Sequence, residues 1–254
     1  MDLITVALGV LIPFFGTALG GACVFFMRGE INQRVRSGLS GFAGGIMVAA
    51  SVWSLLLPAI DRAESLGALA FLPATAGFLG GVLFLILIDL AAPFLAMESY
   101  EKKPNGRLFF AVTLHNLPEG MAVGAVFAGV LAGEGGITLA AAMVLSVGVA
   151  LQNIPEGAIV SMPQYGNGKT RSQAFISGAA SGVIEPIGAA ITILAAHVIV
   201  PILPVMLGFA AGAMIFVVVE ELLPEVWESG HAKTGNLAFA LGFTVMMVLD
   251  VVLG

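Results

Sequence analysis

Charge is scarce in this chain. Only 10% of its 254 residues are Asp, Glu, Lys or Arg, where a water-soluble domain carries roughly 25%. So few charges cannot cover a water-facing surface, which excludes an ordinary soluble protein. Cysteine is nearly absent: Cys23 stands alone, so no disulfide framework and no thiolate metal cage forms within one chain. Basic residues number 10 against 16 acidic ones, for a formal net charge of −6, which excludes nucleic acid as a partner. Histidine occurs three times, at His115, His197 and His231, far apart. The His-Glu-x-x-His string of a metal-dependent hydrolase is missing, so the chain reads as no enzyme. No polar stretch is long enough to form a soluble or signalling domain; the longest run from Glu98 to Arg107 and from Gln164 to Ser172.

What is abundant is apolar: 59% of residues are hydrophobic, and glycine occurs 33 times. A spanning helix needs about 20 apolar residues. Eight segments qualify, at about 4–27, 38–58, 68–95, 107–131, 137–163, 173–197, 201–224 and 235–253. The expected fold class is all-α: a polytopic membrane protein, eight transmembrane helices in one bundle, with residues 1–254 as a single transmembrane domain and the lipid bilayer as its solvent. Glycines at Gly41, Gly44 and Gly45, at Gly77, Gly80 and Gly81, and at Gly208 and Gly212 suit close helix packing in lipid.

The loops orient the bundle. Those after the first, third, fifth and seventh segments hold Arg28, Arg34, Arg36, Lys102, Lys103, Arg107, Lys169, Arg171 and Lys233, while the alternate loops hold only Arg62. Basic loops face the cytoplasm, so both termini are expected on the outer side.

Two near-copies of one polar hexapeptide interrupt this apolar background: His115-Asn116-Leu117-Pro118-Glu119-Gly120 and Gln152-Asn153-Ile154-Pro155-Glu156-Gly157. Residues at i and i+4 share a helix face, so His115 points with Glu119, and Gln152 with Glu156. Each proline leaves the carbonyl four residues earlier without its donor, so Pro118 and Pro155 predict a kink and a freed oxygen at each motif. Glu185-Pro186 in the sixth segment predicts a third, freeing the carbonyl of Gly182. Carboxylates inside a membrane are costly and by default functional. A divalent cation removes the repulsion among Glu119, Glu156 and Glu185. Imidazole, carboxylate and amide oxygen form a borderline-to-hard donor set, suited to Zn²⁺, and also to Fe²⁺, Mn²⁺, Co²⁺ or Cd²⁺. A lone histidine in an apolar helix is more often a packing residue than a ligand; the second motif reverses that for His115. His197 and His231 read as interfacial. Met47 reads as core on its own. Glu220 and Glu221 read as lining a pathway, Asp89 as either lining its inner half or snorkelling to the interface. Asp61 and Asp250 fall near the outer surface, where carboxylates concentrate cations or simply cap solvated helix ends.

At these residues the chain resembles the ZIP (Zrt/Irt-like protein) family of divalent metal-ion transporters, most closely its bacterial, GufA-like branch. The paired HNxPEG and [HQ][ND]xPEG motifs, Glu185, Met47 and Glu221 carry the resemblance, which spans essentially the whole chain. It implies transport of metal into the cytoplasm, in a bacterial inner (plasma) membrane, by a ZIP fold with inverted repeats of helices 1–3 and 6–8 around helices 4–5. No convincing identity between those halves is visible in the sequence. It also implies a binuclear site: one ion held by His115, Glu119, Gln152, Glu156 and Met47, the second by Asn116, Asn153 and Glu185, with Glu119 and Glu156 bridging. The ions are then transported substrate, with no catalytic cofactor. The resemblance places Asp61 and Asp250 at the outer entrance and Glu220 and Glu221 on the route to the cytoplasm. A homodimer is compatible with the sequence. Two departures stand out: many family members carry His where this chain has Gln152, and close bacterial relatives carry Asp where it has Asn153 and His where it has Glu220. Alternating access moves helices 1, 4, 5 and 6 against helices 2, 3, 7 and 8 in this reading; a passive pore and a metal-gated sensor are its rivals.

Overall fold

A computed structural model describes residues 3–26, 32–95, 106–133 and 137–254. Among them the chain is helical, with no strands. The helices are α1 (Leu3–Phe25), α2 (Gln33–Asp61), α3 (Phe71–Leu95), α4 (Gly106–Leu131), α5 (Leu139–Gly166), α6 (Arg171–Leu194), α7 (Ala196–Glu228) and α8 (Ala232–Leu253). All but α4 are both long and apolar enough to cross a membrane. α4 has the length, at 26 residues, and carries the first polar motif. Arg28, Lys102 and Lys103 lie outside the described residues.

The helix ends follow local chemistry. Asn32 caps α2, its side chain accepting from the Arg34 amide, and so moves the start of α2 to Gln33, ahead of the expected 38. Thr138 caps α5. Thr170 and Gln173 form a reciprocal capping box at the start of α6, which satisfies two otherwise unpaired amides. α6 and α7 are separated by Ala195 alone, so α7 begins at Ala196, before the expected 201.

One expectation about the prolines fails. α4 and α5 run as helix through Pro118 and Pro155, and because proline has no N–H the carbonyls of Leu114 and Leu151 lack their usual donor. α6 does break, at Gly182-Val183, but the Gly182 carbonyl is not freed: it accepts from the Glu185 amide at 3.1 Å. Pro186 sits in the first turn of the second half, where a missing N–H costs little. The backbone instead departs from α-geometry in α2 and α7. Each holds a π-helical turn just before a proline: Ser51–Leu56 ahead of Pro58 and Val218–Leu222 ahead of Pro224. Inserted turns of this kind mark functional places.

Packing runs through glycine. α2 lies against α8, α3 against α7, α1 against α5 and α4 against α6. A methyl group at Gly41 or Gly45 would run into the α8 carbonyls of Gly235 and Phe239, and one at Gly208 or Gly212 into the α3 carbonyls of Ala74 and Phe78. The corresponding sequences are Gly41-Phe42-Ala43-Gly44-Gly45-Ile46-Met47 and Gly208-Phe209-Ala210-Ala211-Gly212-Ala213-Met214. The structure therefore corrects the reading that the two halves share no visible identity: α2 and α7 are counterparts, each packed by the same glycine spacing. The same relation links α1 to α6. Gly157 abuts the Thr17 carbonyl, and Gly120 the Glu185 carbonyl.

Large apolar side chains face outward along α1, α3 and α8, including Phe15, Leu19, Leu83, Leu90, Leu241 and Val251. An exposed apolar surface this extensive is what lipid requires and water forbids. Hydroxyls in this setting bond back to their own helix, as Ser51 does to the Met47 carbonyl at 2.7 Å and Ser146 to that of Ala142 at 3.0 Å, which keeps them satisfied away from water.

Candidate metal site

The two hexapeptides meet inside the bundle. His115, Asn116 and Glu119 on α4, Gln152, Asn153 and Glu156 on α5, and Glu185 on α6 are all buried. Gln152 Nε2 donates to Glu119 Oε1 at 2.6 Å, joining the motifs. Asn116 Nδ2 donates to Glu185 Oε1 at 3.1 Å and to the Ser181 carbonyl at 3.2 Å, which brings α6 in. Thr17 Oγ1 of α1 donates to the same Glu185 oxygen at 2.7 Å. From α7, Glu221 Oε1 lies 3.1 Å from His115 Nδ1.

On Asn116, Glu119, Gln152 and Glu185 these bonds use one polar atom and leave another, while Asn153 has a partner for neither its oxygen nor its nitrogen. His115 Nε2, Asn116 Oδ1, Glu119 Oε2, Gln152 Oε1, Asn153 Oδ1, Glu156 Oε1 and Glu185 Oε2 are buried without a hydrogen-bond partner. One such atom costs about 1–3 kcal/mol. Their concentration on two helix turns and the residue facing them fits a cation, which takes lone pairs. Among the described residues no three His, Cys, Asp or Glu side chains converge closely enough to cage an ion by themselves. The donor set therefore depends on the amide oxygens of Asn116, Gln152 and Asn153 as well as on carboxylates.

One end gives access. A cavity of about 670 Å³ reaches from Gln33 and Arg36 at the start of α2, and Glu228 and Ser229 at the end of α7, inward to His115 and Glu156. Glu220 and Glu221, on the π-turn of α7, line it. Asp89 is exposed and lies in the same half of the bundle as His115, Glu220 and Glu221. At the cavity mouth Glu225 accepts from both Arg36 and Ser40, tying α7 to α2.

The opposite end differs. Ser54 Oγ, on the π-turn of α2, donates to Asp250 Oδ1 at 2.6 Å. Both line a smaller cavity of about 210 Å³ with Trp53, Pro58 and Thr138. Asp61 is exposed at the end of α2 and does not line that cavity. Met47 is fully buried in the apolar core. His197 and His231 are exposed, as expected of interfacial residues.

Sequence reading missed Thr17, Ser54 and the Arg36–Glu225–Ser40 cluster. For Ser54 a signal existed: Ser54-Leu55-Leu56-Leu57-Pro58 echoes Glu220-Glu221-Leu222-Leu223-Pro224.

A polytopic helical bundle with a buried cluster of carboxylate, amide and imidazole donors defines a membrane protein of the ion-transporter class. Comparison with known families assigns it further. Residues 106–250 match the family described as ZIP Zinc transporter. The zinc transporter ZIP11 of Homo sapiens is 34% identical over 97% of this chain and 96% of its own length. The zinc transporter ZIPB of Bordetella bronchiseptica is 35% identical, covering 97% of this chain and 81% of its own. GufA, a zinc transporter of Myxococcus xanthus, is 34% identical over 94% of this chain and 96% of its own. The chain belongs to the ZIP family of metal transporters, and it is not an enzyme.

Proposed function

We propose that this protein carries Zn²⁺, and related divalent ions such as Fe²⁺, Mn²⁺, Cd²⁺ or Co²⁺, into the cytoplasm through a mid-membrane site between α4, α5 and α6. The observation that carries the reading is the set of unpartnered acceptors on both hexapeptides, at the closed end of a cavity lined by acidic residues. His115, Glu119, Gln152 and Glu156 hold one ion, with Met47 as an added ligand. Asn116, Asn153 and Glu185 hold the second, and Glu119 and Glu156 bridge. Shared carboxylates let the loss of one ligand weaken both ions together, which reconciles selection with release.

The cycle is alternating access. The cavity that reaches His115 opens beside Gln33 and Arg36, on the side that basic residues assign to the cytoplasm. In that orientation both termini are outside, and the Ser54–Asp250 pair closes the outer side. Glu220, Glu221 and Asp89 draw the ion inward along the cavity. Asp61 and Asp250 gather cations outside. Zinc is the first choice of substrate because the similar relatives are named zinc transporters and because the donor set includes imidazole. Residues 1–254 act as one transport unit, in a bacterial plasma membrane.

Liposome uptake of a panel of divalent ions tests the function. Wild type should show saturable uptake, and Glu119→Ala should insert normally and fall to background. Wild-type flux in that variant would refute the site. Flux that fails to saturate would refute the carrier.

A further inference from the structure

Thr17 has no part in the ligand set, and yet it is fully buried at its edge. It occupies in α1 the place that Glu185 occupies in α6. Gly157 of the second hexapeptide abuts the Thr17 carbonyl, as Gly120 of the first abuts that of Glu185. Gly20 abuts the Ile154 carbonyl, as Gly188 approaches that of Leu117. One half of the molecule therefore offers a carboxylate at this position and the other a hydroxyl, and the two are bonded to each other at 2.7 Å.

A carboxylate oxygen has two lone pairs. On Glu185 Oε1 both are taken, one by Thr17 Oγ1 and one by Asn116 Nδ2 at 3.1 Å. Glu185 Oε2 has no partner. The Asn116 amide is fixed in turn, since its nitrogen also donates to the Ser181 carbonyl, so its oxygen is the atom left for an ion. A methyl group added at Gly182 would strike Thr17 Cβ and Oγ1 and Glu185 Oε1 together. The absence of a side chain there is what lets threonine and glutamate approach.

We infer that Thr17 is a positioning residue that restricts Glu185 to one ligating oxygen, and so biases the transported ion toward small cations of low coordination number. The inference rests on the proposed role of Glu185 in the ion site. Zn²⁺ takes four or five donors, whereas Mn²⁺ is suited by six oxygen donors; with Asn116, Asn153, Glu119 and Glu156 in the set, one Glu185 oxygen makes five donors and two make six. A carboxylate closed on one side serves the first. Removing the hydroxyl reopens Oε1 as a second donor and serves the other.

The test is equilibrium competition between Zn²⁺ and Mn²⁺ on the purified full-length protein, with bound metal counted by mass spectrometry. Infrared difference spectra of the carboxylate stretches, assigned by subtracting Glu185→Gln, accompany it. Thr17→Val keeps the shape and drops the hydroxyl; it should move the Zn²⁺/Mn²⁺ binding ratio about tenfold toward Mn²⁺, the weight of one hydrogen bond to a charged group. The splitting between the Glu185 stretches should narrow, as it does on passing from one ligating oxygen to two. Thr17→Ser should match wild type in both. Thr17→Ala keeps the Cβ that packs at Gly182 and should behave like the valine variant, which covers the case where valine is not tolerated. A wild-type ratio and splitting in the hydroxyl-free variants would overturn the role of Thr17 while leaving the ion site standing, as would a serine variant shifted as far as they are. A wild-type protein that binds neither ion would overturn the ion site and the inference together.

Discussion

Gln152 Nε2 donates to Glu119 Oε1 across the α4–α5 interface at 2.6 Å, and the remaining atom of each group, Gln152 Oε1 and Glu119 Oε2, has no partner. The Gln152 amide thus offers a hard oxygen beside a carboxylate it also steadies. Gln152→His replaces that oxygen with a borderline nitrogen, the donor Zn²⁺ favours. Competition assays should show Zn²⁺ gaining about tenfold over Mn²⁺, a step of about 1.4 kcal/mol. An unchanged competition profile would remove Gln152 from the ligand set.

The Asp250 carboxylate, held by Ser54 in the small cavity, and the exposed Asp61 should contribute unequally to capture if they form the proposed entrance. Charges at a pore mouth raise the local cation concentration, by about tenfold at the low end. Asp250→Ala should raise the metal concentration needed for half-maximal uptake by several-fold with little change in the saturated rate. Asp61→Ala alone should do less, and the double variant should slow uptake at low metal most of all. Identical concentration dependence in the double variant and wild type would sink the entrance role.

Glycine contacts in α2 and α5 predict changes in stability. A methyl group at Gly45 collides with the Phe239 carbonyl, and one at Gly157 with that of Thr17. Overpacking of this kind costs about 1–3 kcal/mol. Gly45→Ala and Gly157→Ala should both lower the melting temperature of the purified protein. Gly166, which has open space around the added methyl, should accept alanine with no loss. If all three behave alike, glycine packing is not what holds these helices.

Much of this molecule could be read from its residues, for identifiable reasons. Lipid demands long apolar runs, so the helices announced themselves, and two hexapeptides of the same pattern announced the site. The breaks did not. Pro118 and Pro155 sit inside unbroken helices, while the π-turns came before Pro58 and Pro224. Whether a helix tolerates proline depends on what packs around it, and one sequence does not show its neighbours. The kinship of α2 and α7 lay in the spacing of two glycines and a methionine, too sparse to weigh until both glycine pairs were seen to grip carbonyls of a partner helix. Thr17 was invisible because nothing in a lone threonine in an apolar run says which carboxylate it will meet 168 residues later.

The claim on which the rest depends is that α4 and α5 hold a divalent ion between them. Anomalous diffraction from crystals soaked in Zn²⁺, measured on both sides of the zinc absorption edge, addresses it directly. The account predicts a peak bounded by His115, Glu119, Gln152 and Glu156, with a weaker one beside Asn116, Asn153 and Glu185, and loss of the first peak in Glu119→Ala. Zinc peaks confined to the helix ends, or none in the interior at saturating metal, would contradict it.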